Sequence, residues 1–230
     1  MLVSHRKRFI YTKTAKTGGT SVEVYFEPYC FPEGQWEFSH SREAWVGPTG
    51  IVGYRGPNRE GQTWYHHMAA KQIRQQVGEQ VWNSYFKFCV IRDPFDKMVS
   101  AFHFFTKERQ ADGTVAAPAA GDLKKRFRDW LTAGKIPYDG EKYLIDGRIC
   151  VDYFIRYEDM QGGIRHVCKT LDIPFQPEGL MRLKSGIRPT DVPLHEYYDA
   201  DSIKIVSKLY QFELKHFGYA PPNLASARAA

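Results

Sequence analysis

A short strand, a polar glycine turn and a helix follow one another near the start of this chain, and that order restricts its fold more than any other feature. Phe9, Ile10 and Tyr11 give Phe9–Thr12 its strand character. Lys16-Thr17-Gly18-Gly19-Thr20-Ser21 forms the turn, and Val22, Glu23, Val24, Tyr25 and Phe26 read as a first helix. This unit opens many nucleotide-binding α/β folds. Glycines let the backbone approach an anion closely, the amides of the turn and of the helix N-terminus point at it, and the helix dipole favours negative charge. Lys16 can neutralise an oxygen, and Thr20 and Ser21 can donate hydroxyls. The ATPase loop G-x-x-x-x-G-K-[ST] places its lysine after the glycines; here Lys16 precedes them. An ATPase loop is therefore disfavoured while an anion cradle is not, and the plain alternative is an ordinary glycine turn with a solvated Lys16.

A second signal lies at residues 85–91. Tyr-Phe-Lys-Phe-Cys-Val-Ile is a nearly continuous apolar run, as expected of a strand buried on both faces. Arg92-Asp93-Pro94 follows at once. Asp93 suits an N-cap and Pro94 a first helical position, with Asp96 in the first turn, so a helix is expected through Met98, Val99, Phe102 and Phe105. Arg92 leaves the C-terminal end of the strand, where ligands of open α/β sheets bind, and a guanidinium there can grip a phosphate through two bonds. Ser100 lies about two turns into the helix. Alone, Arg92 reads equally as a structural ion-pair residue and Ser100 as a surface residue.

Residues 27–63, rich in Gly, Pro and aromatics, read as irregular structure with room for one hairpin. Helices are expected over 68–77, ending at Gly78, over Leu123–Thr132, over 164–171 and over 202–217; a strand is expected at Tyr153–Arg156. Residues 110–121 form a low-complexity loop, and 221–230 a frayed tail. No repeat or linker divides the chain, and 230 residues suit one α/β domain. The net charge of +6 suggests an anionic ligand. The basic clusters at 5–8 and 124–126 read as solvated faces rather than a nucleic-acid patch. The four cysteines form no C-x-x-C pair, which gives little support to a zinc site or a disulfide framework. No apolar stretch approaches the ~20 residues of a membrane span and no apolar leader core precedes the first strand, so a soluble, cytoplasmic protein of a reducing compartment is expected.

Taken together, these motifs resemble a known family. Lys16-Thr17-Gly18-Gly19-Thr20-Ser21 is similar to the 5′-phosphosulfate loop of sulfotransferases, and residues 90–102, Val-Ile-Arg-Asp-Pro-Phe-Asp-Lys-Met-Val-Ser-Ala-Phe, to their 3′-phosphate motif. The resemblance is closest to carbohydrate sulfotransferases of the heparan and uronyl 2-O type and their bacterial relatives. Weaker similarities at 154–160, 197–199 and 217–219 extend it over most of the chain. It implies a P-loop-like three-layer α/β sandwich with a central parallel sheet flanked by helices, as a single domain over residues 1–220. It also implies a donor, 3′-phosphoadenosine 5′-phosphosulfate (PAPS), a product, adenosine 3′,5′-bisphosphate (PAP), and no metal. Lys16 would contact the phosphosulfate and stabilise the leaving phosphate. Thr17, Gly18, Gly19, Thr20 and Ser21 would supply amides and hydroxyls, Arg92 and Ser100 would hold the 3′-phosphate, and Lys184, Ser185 and Arg188 resemble a donor-closing segment.

A hydroxyl acceptor needs a general base near neutral pH, a task that suits histidine. In the resembling family a histidine just before the helix that precedes the Arg-Asp-Pro strand takes this role. His67 directly precedes the helical Met-Ala-Ala-Lys run, and His66 is the second candidate. The implied partners are a nucleotide donor and an acceptor hydroxyl or amine on a glycan or glycosylated small molecule, with no nucleic acid and no membrane span. Residues 31–64 and the loop near Pro118 are candidate acceptor walls. Ala15 stands where the family often has proline, which leaves the turn less rigid, and no counterpart is expected of the membrane anchor and stem of the animal Golgi enzymes. Two rivals stand beside this reading: a small-molecule kinase using ATP and Mg²⁺, and a non-catalytic nucleotide- or nucleic-acid-binding protein.

Overall fold

Side chains along Phe9–Thr12 alternate, with Phe9 and Tyr11 in one apolar cluster and Ile10 in another. A strand covered on both faces produces that division. In the computed structural model, which describes residues 1–106, 122–134, 136–181, 183 and 192–224, this strand lies inside a six-stranded sheet. The chain forms two compact units: Met1–Ile91 with Asp139–Leu183, and Arg92–Tyr138 with Lys184–Ala230.

The first unit holds β1 (Leu2–Ser4), β2 (Phe9–Thr12), α1 (Gly19–Phe26), β3 (Trp45–Gly47), β4 (Gly50–Val52), α2 (Ala70–Val77), α3 (Glu79–Ser84) and β5 (Phe86–Ile91). The order of the sheet is β3-β4-β1-β2-β5-β8. The strands β2, β5 and β8 run parallel, whereas β1, β3 and β4 pair antiparallel. The expected parallel sheet is therefore only half of the observed one. The other half is β1, which no sequence pattern announces, and the β3–β4 hairpin, which falls in the stretch expected to be irregular with room for one hairpin. β1 escapes notice because three residues are too few to show a period, yet all three are buried.

In the other unit the chain forms α4 (Pro94–Thr106) and α5 (Leu123–Thr132); on returning to the first unit it forms α6 (Gly140–Tyr143), β6 (Leu144–Ile145), β7 (Arg148–Ile149), β8 (Tyr153–Arg156) and α7 (Met160–Thr170). Helices α1 and α7 pack with Leu2, Phe9, Tyr11, Phe88, Val90 and Ile155 on one face of the sheet; Ala70 and Ile73 of α2 and Trp82 of α3 pack with Val3, Ile10 and Ile51 on the other. Helices thus cover both faces, as expected.

The second unit is helical among its described residues. Phe95, Met98 and Phe102 of α4 meet Phe127 and Leu131 of α5, Tyr197, Tyr198 and Val206. Asp93 caps α4 as expected, its Oδ1 accepting the amide of Phe95 at 2.8 Å. The single helix expected over 202–217 is two, α8 (Ala200–Leu209) and α9 (Gln211–Phe217). The break falls at Tyr210, which is fully buried, donates its hydroxyl to the Pro137 carbonyl and has the Lys97 ammonium 4.9 Å from its ring centre. Those tertiary contacts hold Tyr210 out of the helical path although the apolar spacing runs on across it. Residues 110–121 and the 225–230 part of the tail lie outside the described residues. No helix among the described residues is long and apolar enough to cross a membrane.

Candidate functional site

The glycine turn joins β2 to α1, and its backbone carries the site. Lys16 (φ 58°) and Gly18 (φ 68°) both lie in the left-handed region. That conformation costs a lysine more than a glycine and persists only where the surroundings enforce it. Gly18 occupies the N-cap position of α1 and offers no capping side chain. A helix leaves its first amides without intrahelical acceptors, and here none of the amides of Thr17, Gly18, Gly19 and Thr20 finds an acceptor among the described residues. Four consecutive donors at a helix N-terminus form a concave patch of positive potential suited to an anion.

The space around both glycines is also tight. A Cβ on Gly19 would come within 3.0 Å of the Tyr11 hydroxyl and 3.1 Å of the Thr14 carbonyl, and one on Gly18 within 3.3 Å of the Tyr157 ring. The loop is latched from beneath. Thr14 Oγ1 donates to the Val90 carbonyl at 2.5 Å, and the Asp139 carboxylate accepts the Ala15 amide at 2.9 and 3.1 Å. The Thr17 hydroxyl is engaged with Thr14, at 2.8 Å from its Oγ1, and Ser21 Oγ accepts the Leu183 amide at 3.1 Å. The Thr17 hydroxyl is thus taken up within the turn itself.

Behind the loop lies a buried charge network that the motifs did not reveal. Helix α1 is buried along its whole length, including its one charged residue, Glu23. Lys13 Nζ meets Glu23 Oε2 at 2.6 Å and Arg55 Nη1 meets the same oxygen at 2.9 Å; Arg55 also reaches Glu27, which pairs with Arg42. Burial alone would push the Glu23 carboxyl up, but Lys13, the Met1 amine and Arg55 outweigh it and hold it well below the usual carboxylate range. Burial pushes the Glu27 carboxyl up despite its arginine neighbours. Removing one partner of a buried ion pair leaves an uncompensated charge, so Glu23→Gln is expected to cost ~3–5 kcal/mol at neutral pH by urea unfolding. A loss below ~1 kcal/mol would show that the network contributes little. Because the carboxyl is held low, its stabilisation is present above the unfolded value of 4.5 and disappears as pH falls through the lower folded one.

Both histidines stand on the segment just before α2. The two rings meet edge to face with centres 4.8 Å apart. His67 lies 3.1 Å through Nδ1 from the Lys13 carbonyl, which ties it directly to the strand end feeding the loop. A carbonyl only accepts, so Nδ1 carries the hydrogen and, in the neutral ring, Nε2 carries the lone pair. Burial first, then the charges of Lys13 and His66, push the His67 imidazole well below its usual 6.5. The contact fixes the tautomer of His67 and joins it to the chain segment that leads into the glycine turn. The His67 backbone (φ 58°) is left-handed, as is that of Lys16.

In the second unit, Arg92 Nε donates to Asp96 Oδ2 at 2.6 Å, with Nη2 at 2.5 Å from the same oxygen. The ion pair foreseen for Arg92 therefore forms, and it fixes the plane of the guanidinium. Ser100 is half-buried in α4. Lys184, Ser185 and Arg188 lie outside the described residues. Among the described residues, no group of three or more His, Cys, Asp or Glu could hold a metal ion.

The sequence model of the family described as "Sulfotransferase family" matches residues 1–220. A protein of Archaeoglobus fulgidus described as uncharacterized is 25% identical over 113 residues, which span 46% of this chain and 84% of that protein.

Proposed function

The chain belongs to the sulfotransferase family, and from that premise we propose that it moves a sulfuryl group from PAPS to a hydroxyl on a glycan or glycosylated small molecule. The observation that carries this reading is the row of amides from Thr17 to Thr20, which find no acceptor among the described residues, set beside Lys16 and tied through Lys13 to a histidine that burial holds below its usual value. When bound, the donor supplies an activated sulfuryl group on a phosphate leaving group.

The residues of the chain divide the remaining work. The amides of Thr17, Gly18, Gly19 and Thr20 hold the 5′ side of the nucleotide, and Lys16 places a positive charge where negative charge develops. Arg92, its plane set by Asp96, and Ser100 hold the 3′-phosphate, the group that separates this nucleotide from ATP. His67 takes the acceptor's proton on Nε2. Positioning and electrostatics supply most of the rate, as in phosphoryl transfer. The reading extends over residues 1–220 as one functional domain.

Thermal-shift titration with PAP, with ATP and with an oligonucleotide tests the proposal. A ligand that binds only the folded state raises its stability as concentration exceeds Kd. PAP is expected to stabilise the protein well above ATP at equal concentration, with no salt-sensitive effect of the oligonucleotide. Equal shifts by ATP and PAP would contradict a 3′-phosphate grip.

A pH profile checks the base. Because the folded His67 imidazole is held below 6.5, the neutral form persists at lower pH than a free histidine would allow. kcat/KM is therefore expected to stay on its plateau at pH 6.5 and to fall only well below it. An acid limb centred at or above 6.5 would count against His67. The same shift lowers stability as pH falls below 6.5, because the unfolded chain then takes up a proton that the folded one refuses.

A further inference from the structure

We propose that Asp139 is a positioning residue of the anion loop, holding the backbone that presents Lys16; this rests on the donor-binding reading of that loop. Asp139 stands at the N-cap of α6, where an aspartate ordinarily accepts an amide of its own helix. Here its side chain makes no capping bond, and both carboxylate oxygens turn instead to the Ala15 amide, 124 residues earlier in the sequence. Only 2% of Asp139 is exposed.

A buried carboxylate beside an anion-binding loop repels the ligand, so its presence calls for an offsetting benefit. That benefit is conformational. Lys16 occupies a left-handed backbone that a lysine does not adopt unaided. The two residues before it are each latched, Thr14 to the Val90 carbonyl and Ala15 to Asp139. Ala15 can form its latch because it carries an N–H, which a proline at that position would lack. The latches also fall where the chain changes units: Val90 lies one residue before the end of the first segment of the first unit, and Asp139 begins the second. Asp139 therefore fixes the peptide that feeds Lys16 and directs the Ala15 amide inward, away from the row of amides that starts at Thr17.

The proposal separates hydrogen-bond acceptance from charge. Asparagine keeps an acceptor oxygen and loses the repelling charge, whereas alanine loses both. Calorimetric titration with PAP is expected to show Asp139→Ala binding at least ~10-fold more weakly than the unaltered chain, as misplaced groups do. Asp139→Asn is expected to bind within ~2-fold of the unaltered chain or more tightly, since the acceptor survives. Amide exchange at Ala15 is expected to be slow in the unaltered protein and in Asp139→Asn, and fast in Asp139→Ala. Undiminished binding by Asp139→Ala, or an equal loss in both variants, would overturn the proposal. If Asp139→Ala does not fold, Asp139→Asn and the Ala15 exchange rate of the unaltered protein decide, and fast exchange there overturns it. A protein that binds no PAP at all would overturn the functional reading first and this inference with it, whereas unaltered binding together with undiminished Asp139→Ala binding overturns this inference alone.

Discussion

His67→Ala is expected to slow sulfuryl transfer by ~10²–10⁴-fold, the range in which a positioned general base contributes, while PAP binding persists. Burial holds the imidazole well below its usual value, and its Nδ1 hydrogen is committed to the Lys13 carbonyl, which puts the ring's lone pair on Nε2. The backbone supplies the control. His67 sits at φ 58°, where alanine is strained and asparagine is tolerated. His67→Asn keeps the backbone comfortable and removes the base, so it is expected to match the alanine variant in rate while keeping a higher Tm. His66→Ala is expected to leave most of the rate intact. If the large loss follows His66 instead, the base is the neighbouring residue, and the Lys13 contact serves only to hold the segment.

Lys16→Ala is expected to lower kcat by ~10²–10³-fold, the usual consequence of removing one donor to developing negative charge. A loss of this kind is open to the objection that the loop has simply collapsed. The left-handed backbone of Lys16 answers it. Glycine adopts that conformation without the penalty a side chain brings, so Lys16→Gly is expected to be at least as stable as Lys16→Ala and just as inactive. Steady-state kinetics alongside thermal melts separate the two effects. Recovery of activity in the glycine variant would mean that Lys16 matters for loop shape and not for charge.

Some of this architecture was legible from the chain because local chemistry wrote it. The apolar run before Arg92 is the buried strand β5, and Asp93 and Pro94 start α4 where capping rules place it. Leu123–Thr132 and Tyr153–Arg156 match their expected limits. The glycine turn falls between strand and helix as expected. What stayed hidden depends on residues distant in sequence. β1 is too short for a pattern and earns its place by pairing with β2 on one side and β4 on the other. The break at Tyr210 is set by Pro137 and Lys97, which no periodicity reports. Lys13, Glu23 and Arg55 look like ordinary surface charges in the sequence, and only folding brings them together in the interior. Asp139 reads as a plain loop residue until its carboxylate is seen on Ala15.

One structural feature bears on how relatives are compared. The contacts that define this site run largely through main-chain atoms: the carbonyl of Lys13 that orients His67, the carbonyl of Val90 that anchors Thr14, and the amide row from Thr17 to Thr20. Carbonyls belong to every residue type and amides to all but proline, so these contacts by themselves do not fix which side chain stands at Lys13, Val90, Thr17 or Thr20. Alignments scored by residue identity will therefore understate the likeness between distant members. Probing these anchors calls for backbone chemistry, such as an ester or thioamide at a single peptide unit, rather than for a scan of side chains.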